Sequence, residues 1–362
     1  MVEDRNEIEF DAVSTCVSFI YRVLHSLSSV SKRAEISISS QGITVSAEAF
    51  KACQAHAFLD KSFFSSYLFN PVQRTQTADD SDGQVVQKLE EEEEATESFS
   101  LQLDALVECF QIFSSDVQDP VVNDSRRTRA DRTDESRQLL SSSSLCKLQY
   151  RHIGDPFIVM LDEGTLVTTC EFTTSLELDG EDGMTDIILS TDQLQLSVIL
   201  HPQPLYEAFR DLDAPGSETV LTVNAAQTGT TFQTLELITQ SELGSFAWTV
   251  GKDRNVIDSF VMPELVDRVY RQYNYKLVQR VREAVKLATM ISFRIDHEGI
   301  MSIQSLCDIG DGRKAYIDFR FLPLHADDLD DLPPARSQRY IEHVRKMTQK
   351  TDFDLFSSDE EI

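Results

Sequence analysis

Few residues in this sequence could support catalysis. Asp179 and Glu181 form an Asp-x-Glu pair, and His56 lies four residues before Asp60. A two-metal nuclease holds ions about 4 Å apart, commonly with such a pair on a strand and with Asp and His residues that follow it in the chain. Here the pair lies in a segment rich in Gly and acid, and His56 and Asp60 precede it. The order and the setting of these residues therefore disfavour a nuclease site.

The sequence offers no other catalytic pattern. It has no Gly-rich phosphate loop, no nucleophile elbow and no metal-ligand spacing. Its six cysteines include no C-x-x-C pair, which indicates reduced, mostly buried thiols rather than a zinc site or a disulfide framework. We therefore predict a non-enzymatic protein with no catalytic residue, metal or cofactor. A 3′–5′ DNA exonuclease acting in repair is the alternative hypothesis.

Basic residues with helical spacing are candidates for binding nucleic acid, because Lys and Arg on a helix bind phosphates without reading bases. Apolar positions three or four apart predict four amphipathic helices, at about 15–27, 103–113, 205–212 and 276–288. The first and fourth present bases opposite their apolar stripes, whereas the second presents acid. The predicted DNA-facing residues are Arg22, His25, Arg210, Arg282 and Lys286. Ordinary solvated helix faces are the alternative explanation for each of them.

The first and fourth helices are each followed by a predicted hairpin. Ile36 and Ile38 alternate before Gly42, and Phe293 and its neighbours alternate before Gly299. We expect both glycines to supply a positive φ. Helix and strands recurring as two pairs predict an α+β fold of two similar domains, each with two helices on one face of antiparallel sheets. Chance similarity of the two hairpins is the alternative.

The composition limits the classes of protein to which this chain can belong. The chain has 362 residues, a formal net charge of −28 and 41% hydrophobic residues, enough for about two or three domains with cores. Such a negative net charge argues against a protein that binds nucleic acid. Much of the acid lies at about 71–98, 117–144 and 327–362, which we expect to be disordered. The sequence predicts no leader and no membrane-spanning apolar run, so we expect no membrane association.

Several stretches are similar to those of a known family. QGITVSAEAFKACQAHAFL, at 41–59, looks like the first-domain hairpin, and LDALVECFQIFSSD, at 103–116, looks like the second helix, of the Rad-one family of subunits of the heterotrimeric DNA-damage checkpoint clamp. The segment at 145–172 resembles the strands that close the first domain. LYEAFRDLD, at 205–213, is similar to a helix shared with proliferating cell nuclear antigen. The order and spacing of these stretches agree with the family.

The resemblance implies a DNA sliding-clamp fold, with domains at 1–172 and 191–326, a connector at 173–190 and an acidic tail at 327–362. It implies a nuclear heterotrimer of this chain with two paralogous subunits, placed by a clamp loader around double-stranded DNA without sequence specificity. It also implies a platform for checkpoint and repair proteins. A homotrimeric replication clamp shares the fold and is a further alternative.

Two segments resemble the edge strands through which clamp subunits join, DPFIVML at 155–161 and ELGSFAWTV at 242–250. Pairing such edges satisfies backbone groups that would otherwise promote aggregation. The predicted subunit-interface residues are Asp155, Phe157, Val159, Gly244, Phe246 and Trp248. An internal strand with core aromatics is the alternative, above all for Trp248, the only tryptophan.

Overall fold

The structure is a computed structural model that describes residues 7–71, 96–114, 145–162, 164, 166–176, 186–212, 217–228, 232–241, 244–251, 256–308 and 313–324. The predicted segments 117–144 and 327–362 and the middle of the connector lie outside the described residues. The predicted insertion at 71–98 ends slightly too late, because Glu97 and Ser98 already belong to a strand that pairs with residues 37 and 38.

Eighteen strands and five α-helices make up the described chain. The strands are β1 (Glu7–Ser14), β2 (Arg33–Ile38), β3 (Gly42–Ala49), β4 (Cys53–Asp60), β5 (Ser66–Asn70), β6 (Glu97–Gln102), β7 (Leu145–His152), β8 (Phe157–Asp162), β9 (Val167–Phe172), β10 (Leu194–Leu200), β11 (Ser217–Thr228), β12 (Phe232–Ser241), β13 (Gly244–Gly251), β14 (Ile257–Val261), β15 (Arg268–Asn274), β16 (Met290–Asp296), β17 (Met301–Asp308) and β18 (Lys314–Phe321). The helices are α1 (Val17–Ser28), α2 (Leu103–Ser114), α3 (Pro202–Leu212), α4 (Tyr275–Val278) and α5 (Arg282–Leu287).

The strands form three antiparallel sheets. A five-stranded sheet has the order β5-β1-β7-β8-β9, and a four-stranded sheet has the order β13-β12-β11-β15. The third sheet has nine strands in the order β14-β10-β16-β17-β18-β4-β3-β2-β6. Its central pair joins β4 to β18, with Cys53 opposite Phe321 and Leu59 opposite Ala315. This pair links the two halves of the chain, and we call it the seam.

The helices pack against one another in a row, α2 against α1, α1 against α5 and α5 against α3. Their apolar stripes are buried as predicted, with Ile20 and Leu24 of α1 and Leu205 and Phe209 of α3 in the core. The predicted fourth helix is interrupted, because a 3₁₀ turn at Gln279–Val281 separates α4 from α5. The contacts between neighbouring helices place them on one side of the sheets, as the α+β prediction requires.

The two predicted hairpin glycines serve different purposes. Gly299 has φ +87°, and Ile300 N donates a hydrogen bond to Asp296 Oδ1 in the same turn. This conformation is the positive φ that was predicted, and it favours Gly. At Gly42 the constraint is close packing, because a Cβ there would lie 2.2 Å from the carbonyl oxygen of Leu59 on β4.

We therefore expect Gly42→Ala to destabilise the protein by about 1–3 kcal/mol, because the added methyl group forces β3 away from β4. The free energy of unfolding, measured by urea denaturation, checks this. The control is Gly251→Ala, whose new Cβ would lie 3.6 Å from the nearest atom in ordinary contact. Equal stability of the two variants would contradict the expectation.

Candidate nucleic-acid interface and subunit edges

The outer face of α1 carries two of the predicted DNA-facing residues. Arg22 is half-buried and His25 is exposed, and both lie on the side of the helix opposite the buried Ile20 and Leu24. The His25 ring lies 5.6 Å from the Tyr21 ring, centroid to centroid. Amphipathic spacing fixes this arrangement, because the apolar stripe turns the remaining positions outward.

The outer face of α5 carries two more of these residues. Arg282 is half-buried and Lys286 is exposed, whereas Ala284 and Val285 between them are buried. At the junction of α1 with the turn before α5, Arg280 Nη1 donates hydrogen bonds to the carbonyl oxygens of Ser29, at 2.9 Å, and Val30, at 2.7 Å. These bonds connect the residues that follow α1 to the turn that precedes α5.

The outer two helices of the row are less basic. On α3, Arg210 Nη2 lies 3.3 Å from Asp211 Oδ1, and Gln203 donates to Glu207. On α2 the outer face presents Glu108, which is exposed, and Asp104, which is half-buried. Positive charge is therefore concentrated at the middle of the row, on α1 and α5, and Arg210 adds little because its charge is neutralised locally.

The first predicted edge strand is wrong. β8 lies between β7 and β9 in the sheet order, and Phe157 and Val159 are buried in the core. The Phe157 ring packs 5.4 Å from the Phe99 ring. Asp155 lies in the turn before β8, where its Oδ2 is 2.7 Å from His152 Nδ1. The chain turns back after β8 and adds β9 outside it, so β9 is the edge.

β9 and β13 therefore end their sheets. On β9, Val167 is 61% exposed, and exposed and half-buried residues alternate along the strand. On β13, Phe246 is 43% exposed and Trp248 is half-buried, and Gly244 pairs with Ser241 of β12. The position of β13 at a sheet edge confirms that part of the prediction. The role of Gly244, Phe246 and Trp248 in subunit contact stays a prediction.

The described end of the connector, residues 186–190, is hydrogen-bonded to both strands of the seam, β4 and β18. Gln54 Oε1 accepts a hydrogen bond from Ile187 N at 2.6 Å, and Arg320 Nη1 donates to the carbonyl oxygen of Ile187 at 2.8 Å. Gln54 of β4 and Arg320 of β18 stand opposite each other in the strand register. Both halves of the chain thus grip one residue, Ile187, through its N–H and its C=O group. Sequence reasoning missed this grip, because Gln and Arg in an alternating strand look like ordinary outward-facing residues.

His56 belongs to a structural polar row beside this grip. Its Nδ1 lies 2.9 Å from Ser46 Oγ, and burial, followed by the Arg320 charge, lowers the pKa of the imidazole below its usual value. Neutral His56 is therefore favoured in the fold. Its contribution to stability is present above the ordinary pKa of about 6.5 and is lost as pH falls through the lowered folded pKa.

Of the other members of the candidate nuclease set, the structure describes only Asp60. Asp60 Oδ1 accepts a hydrogen bond from Ser62 N at 2.8 Å and caps a 3₁₀ turn. Asp179 and Glu181 lie outside the described residues. Within the ranges that the structure describes, no cluster of three or more His, Cys, Asp or Glu residues could hold a metal ion.

The cysteines are free, and four of the six are buried. Burial raises the pKa of Cys53, Cys146 and Cys307 to about 12, so these thiols stay protonated. Their burial agrees with the prediction that the cysteines are mostly buried. No helix in the described part of the chain is long and apolar enough to cross a membrane.

The fold is that of a DNA sliding clamp. Its helices form a row on one side of the sheets, and the β4–β18 pair joins the two halves of the chain. The crystal structure of proliferating cellular nuclear antigen from Entamoeba histolytica superposes with a TM-score of 0.58, covering 87% of this chain and 99% of that protein at 13% identity. At that identity the likeness shows the fold alone.

The chain belongs to the family described as Repair protein Rad1/Rec1/Rad17, which matches residues 9–307. The DNA damage checkpoint control protein rad1 of Schizosaccharomyces pombe is 26% identical over 316 residues, 87% of this chain and 86% of that protein. The cell cycle checkpoint protein RAD1 of Mus musculus is 23% identical over 282 residues, 78% of this chain and 81% of the relative. The resemblance stated from the sequence is confirmed.

Proposed function

We propose that this chain is one subunit of a heterotrimeric checkpoint sliding clamp that encircles DNA at damaged or stalled sites and carries checkpoint and repair proteins. The clamp fold and the family membership support the class of function. The observation that supports it most is the concentration of Arg22, Arg282 and Lys286 on two neighbouring helices of a single row. Bases placed this way bind phosphates of any sequence, as a sliding protein requires.

The ring contains paralogous subunits rather than three copies of this chain. Asp104 and Glu108 on α2 and Glu207 on α3 lie on the same outer faces as the bases. Three identical copies would repeat this acid around the channel, where it repels phosphates, whereas paralogues with more basic helices dilute it. A nuclear location and placement by a clamp loader belong to the same proposal.

The two paralogues bind at β9 and β13. An edge strand leaves one row of backbone N–H and C=O groups without partners, and pairing with a neighbouring subunit's edge satisfies them. Val167 and Phe246 stand exposed on these strands and would pack across the two junctions. This assignment replaces the β8 residues of the sequence prediction with β9.

The test is assembly and topological retention on DNA. Mixed with two paralogous clamp subunits, the purified chain should form a 1:1:1 complex by size-exclusion chromatography with light scattering. Loaded on nicked circular DNA, the complex should persist in high salt and be released when the circle is cut. Self-association into a trimer without paralogues, or equal retention on cut and uncut DNA, would contradict the proposal.

We also propose that the chain has no nuclease activity, because Asp60 caps a turn and no cluster of His, Cys, Asp or Glu among the described residues could hold a metal ion. A duplex labelled at its 3′ end, incubated with the purified chain and magnesium or manganese, should be degraded no faster than in buffer. The control is a variant carrying Asp179→Ala and Glu181→Ala. Degradation by the natural chain that this double variant abolishes would show the proposal to be wrong.

A further inference from the structure

Two cysteines lie on the inner face of the five-stranded sheet. Cys146 of β7 stands opposite Leu161 of β8, and Cys170 of β9 stands opposite Val159 of β8. Leu161 and Val159 are both buried in the core. Residues that stand opposite each other on neighbouring strands point to the same face of a sheet, so both cysteine side chains point toward the core.

Helical spacing brings a third cysteine, Cys109 of α2, to the same place. It follows the buried Leu106 by three residues, so both side chains belong to the inner face of the helix. α2 contacts β9, and the Cys109 thiol is hydrogen-bonded to the Cys170 thiol. Cys146 lies close to Cys109 as well. Cys109 and Cys170 are therefore a pair in direct contact, although 61 residues separate them in the chain.

The two thiols of this pair differ in their access to solvent. Cys170 is half-buried on an edge strand, whereas Cys109 is only 6% exposed. Burial, followed by the hydrogen bond with Cys170, raises the pKa of the Cys109 thiol, so this thiol keeps its proton. An oxidant in solution therefore reaches Cys170 first, and Cys109 stands beside it as a second thiol.

This arrangement suits a disulfide. A disulfide has a sulfur–sulfur bond of about 2.05 Å and Cβ atoms about 3.8 Å apart, so it forms only between residues that are already neighbours. Packing of a small apolar side chain accounts fully for Cys146, which is 0% exposed. A half-exposed thiol bonded to a buried one has, in addition, the arrangement of a redox-sensing cysteine and its resolving partner.

We propose that Cys109 and Cys170 are a peroxide-sensitive pair that forms a reversible disulfide between α2 and β9. Hydrogen peroxide oxidises the Cys170 thiol to a sulfenic acid and releases one water molecule. The Cys109 sulfur then attacks the sulfenic sulfur, and the new S–S bond replaces the S–O bond. The hydroxide leaves as water with the proton of the Cys109 thiol. The two sulfur atoms together lose the two electrons that reduce the peroxide, and a thiol reductant restores both cysteines.

The disulfide ties an edge strand to the helix row. β9 is paired only with β8 in its sheet, so its other side has no neighbouring strand in the described chain. A covalent bond to α2 reduces the freedom of this strand to open. A paralogous subunit paired with β9 would cover the same edge, so the reaction is expected in the free chain. The inference does not depend on ring assembly, and it is tested on the isolated full-length chain.

Peptide mapping of the oxidised natural chain is the direct test. After treatment of the folded chain with hydrogen peroxide, four of its six thiols should remain free, and the mass should fall by two hydrogen atoms. Mass spectrometry should show the Cys109 peptide joined to the Cys170 peptide, and dithiothreitol should separate them. The matched control is oxidation of the same chain unfolded in urea, which should not favour this pair.

Three results of the mapping would overturn the proposal. They are the absence of a link between Cys109 and Cys170, a link from Cys109 to Cys146 in its place, and an equal yield of the Cys109–Cys170 link in the folded and the unfolded chain.

Single substitutions separate the roles of the two thiols. Cys109→Ser should keep the sulfenic acid at Cys170, where dimedone labels it, because the second thiol is missing. Cys170→Ser should show no dimedone at Cys109, because that thiol is buried. Cys307→Ala changes an equally buried cysteine on β17 and should still form the disulfide. Dimedone on Cys109 in Cys170→Ser, or none on Cys170 in Cys109→Ser, would contradict the assigned order of reaction.

Amide hydrogen exchange measures the effect on the edge strand. Oxidation of the natural chain should slow exchange at residues 167–172 severalfold, because the crosslink limits opening of the strand. The same residues of peroxide-treated Cys170→Ser should exchange as they do in the reduced natural chain. Equal exchange in the disulfide form and the reduced form would show that the bond does not secure β9.

Discussion

Reversing the charges of Arg22, Arg282 and Lys286 to Glu should weaken DNA binding by the assembled ring on the order of 10²–10³-fold near 0.1 M salt. Each residue is proposed to neutralise one phosphate, and each contact adds about 0.9 to the slope of log affinity against log salt. The triple variant should therefore flatten that slope by about 2.7. Fluorescence anisotropy with labelled duplex over a salt series measures both quantities. Sequence preference should not change, because no base contact is proposed.

The matched control reverses Lys61, Arg151 and Lys314 instead, which changes the net charge equally. These side chains are exposed, and they lie on strands or a turn rather than on the helix row. The control should bind DNA within about tenfold of the natural ring, with nearly its salt slope, since long-range effects are screened beyond about 10 Å. If the two triple variants lose affinity equally, net charge controls binding and the helix row does not face DNA.

Phe246→Asp on β13 should weaken binding to one paralogous subunit and leave binding to the other unchanged. A buried aromatic at the centre of an interface contributes about 2–4 kcal/mol, so the dissociation constant of that pair should rise roughly 30- to 1,000-fold. Val167→Asp on β9 should produce the same loss with the other paralogue. Pairwise size-exclusion chromatography with light scattering shows which complex each variant still forms.

Both variants must be shown to fold like the natural chain. Phe246 and Val167 are exposed in the chain alone, so neither substitution removes a core contact. Leu265→Asp introduces the same charge at an exposed position on the loop after β14, and it should bind both paralogues normally. If Phe246→Asp and Val167→Asp each lose the same partner, or neither loses one, the two edges are not the two subunit junctions.

Local patterns in the sequence predicted much of the fold. Apolar residues three or four apart gave α1, α2 and α3, and the alternation around Ile36 and Phe293 gave strands whose apolar side chains are buried. These predictions succeeded because periodicity reflects which face of an element meets the core. They failed in detail at the fourth helix, where the chain forms a 3₁₀ turn at Gln279–Val281 within a pattern that still reads as helical.

The order of the strands was not predictable in the same way. β8 and β9 both alternate, and β8 was predicted to be a joining strand because its residues resemble an edge strand of clamp subunits. A strand is internal or at an edge according to whether another strand pairs with its second side. That neighbour is not encoded in the strand's own residues.

The sequence by itself determined which faces are apolar, where the turns fall, which helices carry bases and which family the chain resembles. Only the tertiary structure decided that β9 and β13 are open edges, that Arg280 joins the turn before α5 to the end of α1, and that Gln54 and Arg320 both bond to Ile187 of the connector. The physical reason is that these features join residues that lie far apart in the sequence. Side-chain spacing reports burial within one element, whereas these features depend on which elements pair with one another, as β4 pairs with β18 about 260 residues away in the chain.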